Sequence, residues 1–352
     1  MSYDVELVSR ILAQARQDVE AELKRIIAEC RRTGYGPLYD LLADYPFREG
    51  KGLRPAICFA ACRAAGGRTE QATLSATAIE LFHNAALLHD DAADLSEIRR
   101  GKETMPRLYG ESVTINVGDA TNVLSLGPLL GNTERIGLRK ALMVLREVER
   151  MARESTEGQA IELGWIADGI FDLGDRDYIR MAYKKTCWYT VIAPLRIGVI
   201  CGSQPGALAP LEEELSQLLE LGFLAGIAFQ IHDDLLNLEG DEEIYKKEIC
   251  GDLSEAKRTI MLLHFLRTTG KRDRERALKL LRTPRARKTP DKIAWLLEAM
   301  TRAGSLKYGR MMAVEYSERA LELDARGLPF LLENDDRRFL REMLRYVIDR
   351  AK

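Results

Sequence analysis

Residues 72–94 read ATLSATAIELFHNAALLHDDAAD, a run that is apolar almost all the way round at helical spacing and then ends in three carboxylates, Asp90, Asp91 and Asp94. Apolar residues recurring at i, i+3, i+4 and i+7 predict a helix, and the lack of a polar face predicts a central one. Gly66-Gly67 should close the preceding helix, with Thr69 as the cap of this one. Residues 218–238, LLELGFLAGIAFQIHDDLLNL, repeat the arrangement and bring Asp233, Asp234 and Asn237 to the end of a second apolar helix. The same period runs through most of the chain, broken by Gly, Pro and Asn instead of by alternating strands, so the expected fold is all-α.

A chain of 352 residues with 46% hydrophobic and 30% charged residues can bury a sizeable core. Its formal net charge of -2 supplies no basic field for nucleic acid and no polybasic membrane signal. Six cysteines are scattered among apolar neighbours with no paired spacing, which predicts buried thiols in a reducing compartment. The first 30 residues mix both charge signs at helical spacing and read as a surface helix, not a signal peptide. No apolar stretch reaches the roughly 18 residues that span a bilayer, and YTVIAPLRIGVICG is interrupted by Arg196. The expectation is a cytoplasmic protein without membrane insertion. The basic, proline-containing stretch LRTPRARKTPDKI, residues 281–293, is the best candidate for a mobile surface loop.

Crowded carboxylates next to apolar surroundings repel one another and lose hydration, so a cation is their natural compensation. Asp90 and Asp94, four apart, share one helical face, with Asp91 beside them. Asp233 and Asp234 supply the matching pair, and hard oxygen ligands favour magnesium. An isolated acid pair is usually solvated surface, as in ENDDRR around Asp335-Asp336. Two pairs, each ending a long apolar helix and each preceded by histidine, point to a shared metal site. Magnesium held by few carboxylates keeps positions for water and phosphate oxygens, so a phosphorylated ligand is expected. Lys51, Arg54, Arg99, Arg100, Lys184, Lys185, Lys247 and Lys257 surround the two clusters in sequence and fit that ligand.

In GKGLRP, IELFHNAALLHDDAADLSEIRRGK, EGQ (157–159), KKT (184–186), FQIHDDLLNLEGD and KKEICGDLSEAKRT, spanning residues 50–259 in order, the chain resembles the trans-isoprenyl diphosphate synthases. Residues 241–266 look most like geranylgeranyl diphosphate synthases. The resemblance implies a single all-helical domain over residues 1–352, an isoprenoid-synthase-type bundle around a central cavity, assembled as a homodimer. It implies a head-to-tail prenyltransferase that joins isopentenyl diphosphate to dimethylallyl, geranyl or farnesyl diphosphate, with three Mg2+ ions when substrate is bound. Asp90, Asp94 and Asp233 match magnesium-binding positions, supported by Asp91 and Asp234. Arg99, Lys185 and Lys257 match residues that hold the allylic diphosphate, with Lys247 and Thr186 in the same substrate-binding set, and Gln230 matches a glutamine facing that substrate. Lys51, Arg54, His83 and Arg100 match the isopentenyl diphosphate pocket, although His83 alone also reads as a satisfied core histidine.

Breaking an allylic carbon–oxygen bond builds a carbocation and a pyrophosphate, and cations stabilise the developing negative charge. In the resembled family the released pyrophosphate is thought to take the final proton, which explains the lack of a dedicated base in these motifs. Asn237 replaces a final acid, Gly52 a basic residue, Pro106 a histidine, and Cys250 and Ala256 replace glycines; none is a presumed metal ligand. A terpene cyclase would share the helical fold but lack Lys51, Arg54 and His83, and a non-catalytic partner subunit would be silent alone. Farnesyl and longer-chain synthases are alternatives to a geranylgeranyl enzyme. Product length should be set along residues 82–90. Ala86 and Ala85, four and five residues before Asp90, are small, and Phe82 lies roughly 12 Å down the axis as a candidate floor.

Overall fold

In the computed structural model, which describes residues 3–48, 50–204, 211–240 and 248–349, every long periodic run folds as helix. The helices are α1 (Val5–Thr33), α2 (Gly36–Leu42), α3 (Asp44–Phe47), α4 (Leu53–Ala64), α5 (Thr69–Asp94), α6 (Met105–Tyr109), α7 (Glu111–Leu124), α8 (Leu126–Arg135) and α9 (Leu138–Ala167). After α10 (Asp175–Ala182) the chain continues through a π-helix, Tyr183–Ile192, directly into α11 (Ala193–Gly202). There follow α12 (Leu211–Glu239), α13 (Gly251–Glu255), α14 (Ile260–Thr268), α15 (Lys271–Leu281), a 3₁₀ turn at Arg285–Arg287, α16 (Pro290–Arg302), α17 (Ser305–Ala325) and α18 (Asp335–Asp349). The only strands among the described residues are β1 (Ile98–Arg99) and β2 (Lys102–Glu103), an antiparallel hairpin.

Because α5 is apolar on several faces, it is enclosed by α1, α4, α7, α8 and α11. The π-helix, α17 and α18 pack against α12 in the same way. By contrast α1 is amphipathic: Leu7, Ile11, Ala15, Val19, Leu23 and Ile27 recur every four residues and are buried along it. One large hydrophobic cluster joins α1, α4, α5, α11, α12 and α17, and a smaller one around Tyr45, Leu88 and Met105 lies under α2, α3 and α6.

Three expectations change. Thr69 is the first residue of α5 and not its cap; Arg68 caps, its N–H donating to Gln71 Oε1 at 2.8 Å, while the Thr69 hydroxyl accepts from Arg63 at 2.9 Å. An 18-residue window of α12 does reach the length and mean hydropathy, 1.2, of a bilayer span; 61% of it is buried inside the protein, so it is a core helix. Arg196, which interrupts the apolar stretch around it, is buried and paired with Glu147, with Nε–Oε2 at 2.6 Å. Residues 281–293 are not all loop: Leu281 ends α15, Arg285–Arg287 form the 3₁₀ turn, and after Lys288 and Thr289 α16 begins at Pro290, where a missing N–H costs nothing.

Candidate active site

Both acid clusters line one cavity of about 270 Å³. The helical period decides which acids reach it. His83, Leu87, Asp90 and Asp94 of α5 all line the cavity and fall within about 60° of one another around the helix. Asp91, about 100° from Asp90, leaves that face. Its side chain is fully buried, accepting from Arg99 Nε at 3.0 and 3.2 Å and from the Tyr45 hydroxyl at 2.7 Å, with Arg99 Nη2 also on Oδ1. Expected to support the metal acids, Asp91 instead anchors Arg99. Burial alone would lower the Arg99 pKa, but Asp91 outweighs it and raises it. The hairpin turn at Arg100-Gly101, both at positive φ (53° and 73°), delivers Arg99 and Arg100 to the cavity wall.

On α12, Asp233 and Asp234 both line the cavity. Asp234 is held on both oxygens, accepting from Tyr178 Oη at 2.8 Å and from Gln230 Nε2 at 2.6 Å, and Gln230 Oε1 accepts the Thr186 hydroxyl. Burial, reinforced by Asp252, pushes the Asp234 carboxyl well above the ordinary range. Asp90 is likewise raised, mainly by burial, with Lys185 opposing. At Asp94 burial acts in the same direction, but Lys257 and Lys185 win and the carboxyl sits below its usual value.

The opposing cations Lys185 and Lys257 come from two separate segments. Lys185, on the π-helix, pairs with Glu162 of α9. Lys257 Nζ lies 2.8 Å from Asp94, 2.8 Å from Glu255 and 3.6 Å from Asp252. Burial lowers both lysines, and the carboxylates reverse the shift, so both stay protonated. Gly158 explains the EGQ motif: a Cβ there would lie 2.1 Å from the Lys185 nitrogen, so only glycine lets α9 cross the π-helix this closely. π-helical geometry is rare and often found at functional sites, and here a ten-residue stretch of it carries Lys184, Lys185 and Thr186.

At one side of the cavity the Arg54 guanidinium covers the Tyr189 ring at 4.5 Å, and His83 stacks on that ring at 5.8 Å. Arg54 Nη2 donates to Thr190 at 2.9 Å, while its buried Nε has no acceptor among the described residues, a donor left for a ligand. Arg100 Nη1 donates to the Tyr45 carbonyl at 3.0 Å. Lys51, expected in this group, is exposed and does not line the cavity; it donates to Tyr346 Oη at 3.1 Å. Lys247 lies outside the described residues. Of the expected length-setting residues, none lines the cavity. Phe82 packs edge-on behind Tyr189 at 6.2 Å, Ala86 is half-buried, and Ala85 is fully buried about 140° round the helix from Asp90.

Among the described residues no three His, Cys, Asp or Glu side chains converge closely enough to enclose a metal ion. The donors are all oxygens, Asp90 and Asp94 on one wall and Asp233 on the other. Such a divided set fits magnesium, which binds through one or two carboxylates plus phosphate oxygens and water. The departures from the resembled pattern also find local reasons. Asn237 Oδ1 accepts from Asp252 N–H at 3.1 Å while its Nδ2 donates to the Glu248 carbonyl at 3.3 Å, a pairing an aspartate could not complete. Gly52 sits at φ 64° against Arg16, where a side chain would be strained, and Pro106 fits the first turn of α6. Tyr45, Glu162, Tyr178, Tyr189, Asp252, Glu255 and Arg258 were not singled out in sequence; Asp252 and Glu255 meet Lys257 a few residues on, and the others work through partners far along the chain, which no local spacing signals.

The polyprenyl synthetase family model matches residues 37–300. The chain belongs to the polyprenyl synthetase family. A short chain isoprenyl diphosphate synthase from Methanothermobacter thermautotrophicus is 31% identical over 301 residues, 86% of each chain. An octaprenyl diphosphate synthase from Escherichia coli is also 31% identical, over 77% of this chain and 78% of its own. Among solved structures, geranylgeranyl pyrophosphate synthetase from Pyrococcus horikoshii is similar at TM-score 0.83 and 28% identity, over 98% of each chain. Polyprenyl synthase from Caulobacter crescentus, complexed with calcium and isoprenyl diphosphate, is similar at TM-score 0.84 and 26% identity, over 100% of this chain and 99% of its own. As a polyprenyl synthetase with this all-helical fold, the protein is a trans-prenyltransferase that makes isoprenyl diphosphates.

Proposed function

We propose that this polyprenyl synthetase condenses isopentenyl diphosphate with allylic diphosphates in a magnesium-dependent reaction and releases geranylgeranyl diphosphate. The observation that carries the reading is the division of one cavity into facing carboxylate walls, Asp90 and Asp94 against Asp233, closed by Lys185 and Lys257. Asp90, Asp94 and Asp233 would hold the magnesium, which when bound supplies positive charge to the diphosphate oxygens. Asp234, with both oxygens engaged, orients Gln230 and Tyr178.

Arg99, Lys185 and Lys257 then neutralise charge that grows on the leaving pyrophosphate as the allylic C1–O bond breaks. Arg54, His83 and Arg100 bind the second diphosphate beside Tyr189 and fix the isopentenyl double bond. Its electron pair forms the new bond to C1, and the adduct loses a proton to the released pyrophosphate. Leu87, Met181, Tyr189 and Phe229 supply an apolar inner wall that excludes water, which would trap the cation as an alcohol.

A geranylgeranyl product is supported by the small Ala86, about 40° round α5 from Asp90 though outside the cavity lining, and by the Phe82–Tyr189 pair, of which Tyr189 lines the cavity. The continuous hydrophobic cluster supports one domain over the whole chain. Exposed Ile115, Val123, Leu126, Leu130, Leu138 and Leu142 lie on the consecutive helices α7, α8 and α9, an apolar surface that supports a homodimer. Six free cysteines suit a reducing compartment such as the cytoplasm. Incubation with farnesyl and isopentenyl diphosphates and magnesium, followed by chromatography of the dephosphorylated products, tests the reading. Geranylgeraniol supports it; cyclic hydrocarbons or unreacted substrates refute it.

A further inference from the structure

The segment expected to be a loose surface loop reaches back to the cavity. Arg282, Ala286 and Arg287 are exposed, whereas Arg285 and Lys288, three apart in and just after the 3₁₀ turn, both turn inward. Arg285 Nη1 donates to the Asp94 carbonyl at 3.2 Å and pairs with Glu255, and its Nη2 donates to Glu248 at 2.5 Å. Lys288 Nζ donates to the Ser254 carbonyl at 2.6 Å. These contacts tie the C-terminal end of α5 to both ends of the stretch 248–255.

That stretch is one that needs holding. It contains α13, bracketed by Cys250 and Ala256, each at φ 60° in the left-handed region that disfavours a side chain. Such conformations persist only where the surroundings over-determine them. The next residue after Ala256 is Lys257, whose ammonium shares Glu255 with Arg285.

We propose that Arg285 is a positioning residue for Lys257: by taking up Glu255 and Glu248 and binding the Asp94 carbonyl, it keeps the Lys257 ammonium aimed into the cavity and available to the allylic diphosphate. This rests on the reading of Lys257 as a diphosphate-binding cation. Without Arg285, Glu255 keeps its ion pair with Lys257, Glu248 loses the guanidinium that holds it, and α13 loses its brace. The ammonium is then drawn towards its own carboxylates and away from substrate.

The test compares Arg285→Ala and Arg285→Lys with Arg287→Ala, an exposed neighbour, by steady-state kinetics and by calorimetry with inorganic pyrophosphate in magnesium buffer. Arg285→Ala is expected to raise the KM for farnesyl diphosphate and the pyrophosphate Kd by about tenfold, the effect of losing roughly one charge-assisted hydrogen bond. The KM for isopentenyl diphosphate should stay near the wild-type value, Arg285→Lys should recover part of the loss, and Arg287→Ala should behave as wild type. Arg285→Gln gives the same comparison if the alanine variant does not fold. A folded variant with wild-type pyrophosphate affinity, or equal weakening of both substrates, overturns the proposal. Wild-type protein that binds pyrophosphate but does not elongate would sink the functional reading, while the ratio of pyrophosphate affinities still decides the role of Arg285.

Discussion

Gly158→Ala tests the packing that places Lys185. The new Cβ would lie 2.1 Å from the Lys185 nitrogen, 2.5 Å from its Cα and 2.8 Å from the Lys184 carbonyl carbon, all of them backbone atoms that cannot swing aside. To reach the 3.4 Å at which ordinary contact begins, α9 and the π-helix must part by roughly 1.3 Å. Overpacking of this kind costs about 1–3 kcal/mol of stability. The separation carries Lys185 away from Asp90 and also loosens its pairing with Glu162, since that carboxylate stays on α9. A displacement of about 1 Å at a positioning residue can cost on the order of 100-fold in rate. Thermal unfolding and steady-state prenyl-transfer kinetics should therefore show a folded but less stable protein with kcat/KM lowered about 100-fold. A variant with wild-type kinetics and an unchanged melting temperature would refute this placement of Lys185.

Asp90→Ala and Asp233→Ala should each lower turnover by orders of magnitude with little change in urea stability, because both side chains face the cavity; full activity at ordinary magnesium would count against them. Asp91→Ala should behave differently, losing about 3–5 kcal/mol of stability, because it leaves the buried Arg99 without its partner; a urea midpoint like that of wild type would argue against the buried pair. Ala86→Phe should shift product towards farnesyl diphosphate and Phe82→Ala should lengthen it. Ala85→Phe should instead destabilise the packing round α5 with little effect on product length, and a clean shortening by it would overturn this orientation of the helix.

The chemistry of the site was legible where it depends on local spacing. DDAAD and HDDLLN announce themselves because acids at the end of an apolar helix are costly without a ligand; Lys185 and Thr186 of KKT line the same cavity, and Gly158 of EGQ packs against Lys185. What spacing could not show is rotation about the helix. Asp90 and Asp91 look equivalent in sequence, yet one faces the cavity and the other the Tyr45–Arg99 pocket. The same rotation takes Ala85 off the wall and puts Leu87, two residues and about 200° further round, on it. Long-range partners were invisible for a different reason. A polar, proline-rich stretch such as residues 281–293 has the composition of solvated loop, and only the fold reveals that Arg285 meets Glu248, Glu255 and the end of α5. Lys51 shows the converse, since its motif is clear while its side chain turns to Tyr346.

The most direct measurement is the product formed by the purified protein alone from farnesyl diphosphate, isopentenyl diphosphate and magnesium, with a parallel sample in excess chelator. The expected result is geranylgeranyl diphosphate as the terminal product with magnesium and no elongation without it. Elongation undiminished by the chelator would contradict the role given to Asp90, Asp94 and Asp233, and so would a cyclised product or the return of unchanged substrates with magnesium present.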